Sequence, residues 1–222
     1  MMEEILEKLA HCVEFGKINL ASPYPPDLRG QEGADELTKK ALEMGIPPTE
    51  VLNKGLVIGM GKVGVKFREN KVFVPQVLMS AKAMSFGMAH LKPFFKDGSV
   101  VRKGKIIIGT VEGDLHDIGK NLVAMMVEGS GWEVIDLGTD VKAEKFVEAV
   151  KVNPGAVVCL SALLTTTMVN MEKIGKAVKE AVPGTLVAIG GAPVTQDYSN
   201  KIGMDIYSAD PQGLIDCLAK LN

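Results

Sequence analysis

The amino-acid sequence predicts a two-part α/β chain: a four-helix bundle over residues 1–97, then a domain built on a five-stranded parallel sheet over residues 104–222. Three observations carry that expectation. Apolar residues recur at helical spacing as far as about residue 97, and short apolar runs alternate with helical stretches beyond residue 100. The two textures meet at Lys96-Asp97-Gly98-Ser99, a polar, glycine-containing joint. A length of 222 residues leaves room for one large domain or two small ones.

In the first part, Ile5, Leu6, Leu9 and Val13 mark one helix, and Leu37, Ala41 and Met44 mark a second, stopped by Gly45 and Pro47-Pro48. Thr49 is the expected N-cap of a third helix through Leu52, Leu56, Met60, Val63 and Phe67. A fourth runs from Pro75 through Leu78, Ala81, Met88 and Leu91 to Pro93, while SPYPPDLRGQEG at 22–33 is a Pro/Gly loop. In the second part, strands are expected at 105–111, 133–137, 155–161, 185–190 and 204–207. Helices separate and follow them at about 117–130, 142–152, 167–181, 195–202 and 210–221. The alternation means βαβ units, and the flavodoxin-like (Rossmann-type) order 2-1-3-4-5 is the simplest arrangement. Ligands of such sheets lie beyond the carboxyl ends of the strands, at the switch between the first and third, so the residues after Val111 and Leu160 matter most.

Composition removes several classes of function. With 25 Lys+Arg against 27 Asp+Glu the net charge is −2, so no basic field argues for nucleic acid or an anionic membrane. Aromatics at 5% are too few for base-stacking platforms, and a hydrophobic content of 46% supplies a core. The acidic start MMEEILEKLA has no basic n-region, and no apolar stretch approaches the roughly 20 residues a membrane span needs. Cys12, Cys159 and Cys217 are widely spaced and form no CxxC pair, which fits a reducing cytoplasm.

Two glycine-bearing motifs compete for attention. Gly59-Met60-Gly61-Lys62-Val63-Gly64 matches GxGxxG, but it lies inside a helical period, and Ala83 and Met84 stand where a nucleotide site needs an acid. Small residues for close helix packing explain it better. Gly113-Asp114-Leu115-His116-Asp117-Ile118-Gly119-Lys120-Asn121 directly follows the first strand. There the His116 imidazole can project toward a ligand while Asp114 holds its other ring nitrogen, the arrangement that ligating histidines need. The third strand ends in Ser161-Ala162-Leu163-Leu164-Thr165-Thr166-Thr167, whose hydroxyls either cap the next helix or bind a polar ligand or Asp114. The fourth runs into Gly190-Gly191, where turn chemistry competes with the close approach of a large flat ligand.

On these residues, 104–222 resembles the cobalamin-binding domain shared by methionine synthase, methylmalonyl-CoA mutase and the corrinoid proteins of anaerobic methyltransferase systems, and GDLHDIGKN is closest to the methyltransferase branch. Residues 34–97, including GMGKVGVKFRENKVFVPQVLMSAKAM, resemble the helical cap of methionine synthase and of the methyltransferase corrinoid proteins. The resemblance implies that His116 of the Asp114/His116/Gly119 motif replaces the dimethylbenzimidazole base on cobalt. It also implies that Ser161/Leu163 and Gly190/Gly191 accommodate the displaced nucleotide tail. Gly113, Asp117, Ile118, Thr165 and Thr167 complete the implied cofactor-binding set, and Phe67 and Val74 would shield the upper cobalt face. Thr166-Thr167 replaces the Pro-Ser of methionine synthase but keeps a hydroxyl for Asp114.

The resemblance therefore implies a carrier that holds a methyl group on the cobalt of a cobalamin or related corrinoid. Its partners would be a substrate-specific methyltransferase and a second corrinoid-dependent methyltransferase, with room for a reductive activase, and neither nucleic acid nor membrane. The chain would be one component of an anaerobic one-carbon pathway rather than a whole enzyme. The alternative from another class is a cobalamin-binding sensor or storage module without a methyl-transfer role.

Overall fold

The computed structural model describes residues 2–221. The chain divides into two compact units, one reaching to Arg102 and taking in Gly129–Gly131, the other comprising Lys103–Glu128 and the chain from Trp132 onward.

The first unit is helical. Helix α1 (Met2–Phe15) turns Ile5, Leu6, Leu9, Ala10, Cys12 and Val13 inward, the stripe that its apolar spacing demands. Helix α2 (Ala34–Glu43) opens on a capping arrangement in which the Glu36 carboxylate accepts the Gly33 N–H at 2.9 Å. The other Glu36 oxygen accepts the Leu20 N–H at 2.9 Å and so ties down the loop between the two helices. Gly45 at φ +78 follows the end of α2. A single helical run then comprises α3 (Pro48–Glu50), a π-helical stretch (Val51–Val57) and α4 (Ile58–Arg68). Its cap is Pro47 rather than Thr49, because Pro48 already has the backbone angle of a first helical residue. Over the π stretch the wider turn keeps Val51, Leu52, Gly55 and Leu56 buried together.

Of the GxGxxG segment, Gly59 serves the expected packing while Gly61 is exposed, and Gly55 before it packs in the same way. A Cβ on Gly59 would meet the Ala10 carbonyl at 2.5 Å, and one on Gly55 would meet Leu9 at 2.6 Å, so α1 lies against bare backbone. Helix α5 (Val74–Lys96) does not stop at Pro93 but continues for three residues. Proline lacks the N–H that would reach back to residue 89, yet the residues after it keep theirs, so one more turn forms. His90 on α5 bonds Asp35 on α2 at 2.6 Å.

In the second unit, strands β1 (Lys105–Thr110), β2 (Glu133–Asp136), β3 (Val157–Ser161), β4 (Val187–Gly190) and β5 (Ile206–Tyr207) form one parallel sheet in the order β2-β1-β3-β4-β5. This is the expected fold class and order, with each strand shorter than its apolar run. Helices α6 (Ile118–Gly129), α7 (Ala143–Val152), α8 (Thr165–Met168), α9 (Asn170–Ala181), α10 (Gln196–Ile202) and α11 (Pro211–Leu218) complete the unit. Alternation along the strands builds two cores. Ile107, Val158, Leu160, Val187 and Ile189 pack with Phe146 of α7 and Ile174 of α9, whereas Ile106, Ile108, Cys159 and Ala188 pack with Val127 of α6 and Leu214 and Leu218 of α11. The same alternation puts Thr110, Ser161 and Gly190, paired in register at the carboxyl edge, on the α6/α11 face. Among the described residues no helix is long and apolar enough to cross a membrane.

Candidate functional site

Two loops meet at the switch point between β1 and β3. The first, residues 111–117, leaves β1 and enters α6, while the second, 162–164, leaves β3 and enters α8. Asp114 is wholly buried where they meet. One of its oxygens accepts the His116 N–H at 3.0 Å and bonds His116 Nδ1 at 2.7 Å. The other accepts the N–H of Leu163 at 2.8 Å, the N–H of Leu164 at 3.3 Å and the Thr167 hydroxyl at 2.7 Å. Burial by itself would raise the pKa of this carboxyl. The bonds from Thr167, Leu163 and His116 outweigh it and hold the group well below the usual carboxylate range.

An ionised Asp114 makes His116 Nδ1 the donor, which leaves Nε2 as the ring nitrogen with a lone pair. The His116 side chain is 51% exposed against 0% for Asp114, so a fixed base presents a reachable lone pair. Thr110 fixes the backbone from below, its hydroxyl donating to the His116 carbonyl at 2.8 Å. Two further contacts hold the loop from neighbouring elements. Asn170 Nδ2 donates to the Glu112 carbonyl at 2.8 Å, and Asp140, in the loop after β2, accepts the Gly113 N–H at 2.7 Å.

Asp114, His116, Leu163 and Thr167 thus come together, and Gly113 joins them at φ +83. Leu115 and Ile118 flank His116 as exposed apolar side chains, and Leu163 and Leu164 do the same on the facing loop. Asp117 accepts from Asn121 at the start of α6, and a Cβ on Gly119 would meet nothing within 4 Å. Thr165 and Thr166 are exposed, so only Thr167 of the three threonines turns its hydroxyl to Asp114.

Ser161 is half-buried beside Gly190. A Cβ on Gly190 would stand 3.0 Å from the Ser208 carbonyl oxygen, and Gly191, at φ +131, would collide with the Ala162 carbonyl. Their missing side chains let neighbouring backbones close on each other. Phe67 and Val74 belong to the helical unit, where both are half-buried on either side of the turn from α4 to α5. Thr110, Asp140 and Asn170 were not foreseen. Their signal, polar residues at the same carboxyl edge, emerges only once the strand order sets them beside the His116 loop.

Comparison with known proteins places the chain in a family. Residues 104–212 match the B12 binding domain family, and residues 30–92 match a second family, also described as a B12 binding domain. The trimethylamine corrinoid protein 1 of Methanosarcina acetivorans is 44% identical over 80% of this chain and 84% of its own. The dimethylamine corrinoid protein 1 of the same organism is 44% identical over 93% of this chain and 92% of its own. Among solved structures, a cobalamin-binding protein from Desulfitobacterium hafniense DCB-2 is 27% identical at a TM-score of 0.75, covering 100% of this chain and 98% of that one. The methanol:cobalamin methyltransferase complex MtaBC from Methanosarcina barkeri is 29% identical at a TM-score of 0.79, covering 97% of this chain and 80% of that one.

Proposed function

Since the chain belongs to the family of B12-binding corrinoid proteins and its cofactor is a corrinoid, we propose that it is a methyl carrier, loaded by a substrate-specific methyltransferase and unloaded by a second one. The buried Asp114 holding His116 Nδ1 at 2.7 Å carries this reading. A corrinoid would need a single nitrogen donor from the protein. His116 Nε2 is such a donor, and among the described residues no cluster of three or more His, Cys, Asp and Glu side chains competes for a metal ion. When bound, the corrinoid supplies a cobalt that takes up and gives up a methyl group.

The chain's own part is to hold and release. Asp114 keeps the lone pair of His116 on Nε2 and strengthens it as a ligand. Ser161, Leu163 and Thr165 border the space for the nucleotide tail, with Gly119 leaving the start of α6 open to it. Gly113, Asp117 and Ile118 shape the loop around His116, while Gly190 and Gly191 border the space for the nucleotide tail at the strand ends. Phe67 and Val74 serve as the shield for the upper cobalt face. Identities of 44% to tri- and dimethylamine corrinoid proteins, against 29% to the methanol complex, support a methylated amine as the source of the methyl group.

The test is reconstitution with cobalamin followed by His116→Ala. The unaltered chain should show the spectrum of a corrinoid ligated by histidine with its own base displaced, and the variant should lose that spectrum or the cofactor. An unchanged spectrum overturns the axial role. A carrier should also surrender its methyl group to a thiol acceptor when a corrinoid-dependent methyltransferase is added. Retention of the methyl group would instead favour storage.

A further inference from the structure

The loop between β2 and α7 contributes a grip on the His116 loop that the D-x-H-x-x-G motif does not contain. Asp140 in that loop adopts φ +53, a left-handed conformation rare for residues other than glycine and tolerated by Asp and Asn. The conformation turns two polar groups of one residue onto one segment. Its N–H donates to the Asp114 carbonyl at 2.9 Å, and its carboxylate accepts the Gly113 N–H at 2.7 Å. The residues around Asp140 are themselves fixed to β1. Thr110 N–H donates to the Gly138 carbonyl at 2.9 Å, and Val141 N–H donates to the Thr110 carbonyl at 3.0 Å. Asp140 is therefore an anchored bracket rather than a loose side chain.

The bracket acts on the residue that orients His116. The Asp114 carboxylate is held by Leu163, Leu164 and Thr167, all from beyond β3. Its backbone is held at the N–H by the Val111 carbonyl at 3.1 Å and at the carbonyl by Asp140, from beyond β2. Without Asp140 the carbonyl side of Asp114 would lose its tie and the residue could rotate. With both backbone ties in place, the carboxylate has one position from which to bond His116 Nδ1 at 2.7 Å.

We propose that Asp140 is a positioning residue for the axial histidine: its paired hydrogen bonds to Gly113 and Asp114 fix Asp114, and through it the direction in which His116 offers Nε2 to cobalt. The proposal rests on the corrinoid-ligating reading of His116. Asp140 itself touches neither His116 nor, in this role, the cofactor.

The full chain, as Asp140→Gly and as Asp140→Asn, separates the bracket from the backbone conformation. Both substitutes accept the left-handed conformation, but only Asn keeps a side-chain oxygen for the Gly113 N–H. Each protein is loaded with cobalamin and reduced by one electron, and the splitting of its electron paramagnetic resonance by an axial nitrogen gives the histidine-ligated fraction. Melting temperature is recorded on the cofactor-free proteins. Asp140→Asn should match the unaltered chain. Asp140→Gly should lower the ligation constant about tenfold, the low end for outer partners of a metal-bound histidine, with little change in melting. Equal ligated fractions in the two variants overturn the role of Asp140 and leave that of His116 standing. Loss of ligation in Asp140→Gly in proportion to loss of melting temperature also overturns it, since Asp140 would then act only on stability. Absence of nitrogen splitting in the unaltered chain overturns the reading of His116 and this proposal with it.

Discussion

Asp114 has two oxygens, and five donors converge on them, two from the loop beyond β3, one from Thr167 of α8 and two from His116. Asp114→Asn would place an NH2 group among these donors, leaving at least one of them buried and unpaired. The expected cost is about 2–4 kcal/mol of stability in the cofactor-free chain, read by urea denaturation, and the histidine-ligated spectrum should weaken as well. A variant with unchanged stability and spectrum would reduce Asp114 to a turn residue. The Asp114–His116 relation was legible because two residues of spacing at a strand end confine the partners. Thr167 lies 53 residues further on, so its bond to Asp114 could be anticipated only through the sheet order and the family resemblance. Asp140 was not legible, since an acid in a loop after a glycine resembles any turn until β2 is placed beside β1. Two cysteines make a further residue-level expectation. Burial pushes the Cys159 thiol up to about 12, and burial likewise pushes Cys12 up to about 11. At pH 8 both stay protonated and covered, whereas Cys217 is only partly buried. Mass spectrometry after iodoacetamide should find Cys217 alone modified in the native chain and all three thiols modified in urea.

Among the elements, the contact of α1 with α4 shows what apolar spacing reveals and what it hides. The buried stripes Leu9, Val13 and Met60, Val63 follow directly from a helical period, and Gly59 of the 59–64 segment lies against α1 whereas Gly61 is exposed. The π-helical turn over Val51–Val57 escaped notice because Leu52, Leu56 and Met60 fit an ordinary helical period equally well. Strand β5 is two residues long because only Ile206 and Tyr207 pair with β4, which its weak apolar run already hinted. The same α1/α4 contact carries a charge. Glu14 on α1 meets Lys66 at 2.6 Å and Lys62 at 3.4 Å on α4. Burial would raise the Glu14 carboxyl, but the two lysines outweigh it and hold it below the usual range. A group depressed in the folded state stabilises fully above its unfolded value, about 4.3, and loses that contribution as pH falls through the folded value. Glu14→Gln should therefore cost about 1 kcal/mol at pH 7, and the difference from the unaltered chain should shrink progressively below about pH 4. Urea denaturation of both proteins at several pH values measures it, and a difference that stays constant with pH would remove the ion pairs from the account.

At the scale of the whole molecule, the two textures of the sequence correspond to two units with separate tasks. The groups described as fixing His116, among them Asp114, Thr110, Leu163, Thr167 and Asp140, belong to the sheet unit, and the proposed shield, Phe67 and Val74, belongs to the helical one. That separation was legible because the motif residues follow strands and the shield residues fall in a helical period. The second unit begins at Lys103, just after the end of α5 at Lys96. Separate tasks predict separable defects. Phe67 is half-buried between Lys66 and Arg68 near the end of α4, so Phe67→Ala trims a side chain without opening the sheet core. In the cobalamin-loaded, methylated chain it should speed photolysis and oxidation of the cobalt severalfold, because water and oxygen gain access once a large apolar side chain is removed. It should leave corrinoid affinity and the histidine-ligated spectrum as they were, since none of the groups around Nδ1 has changed. His116→Ala should do the reverse, abolishing the ligated spectrum in the dark whatever the state of residue 67. If Phe67→Ala alters the ligated spectrum, or leaves the photolysis rate unchanged, the shield does not reside at Phe67 and the two tasks are not divided in this way.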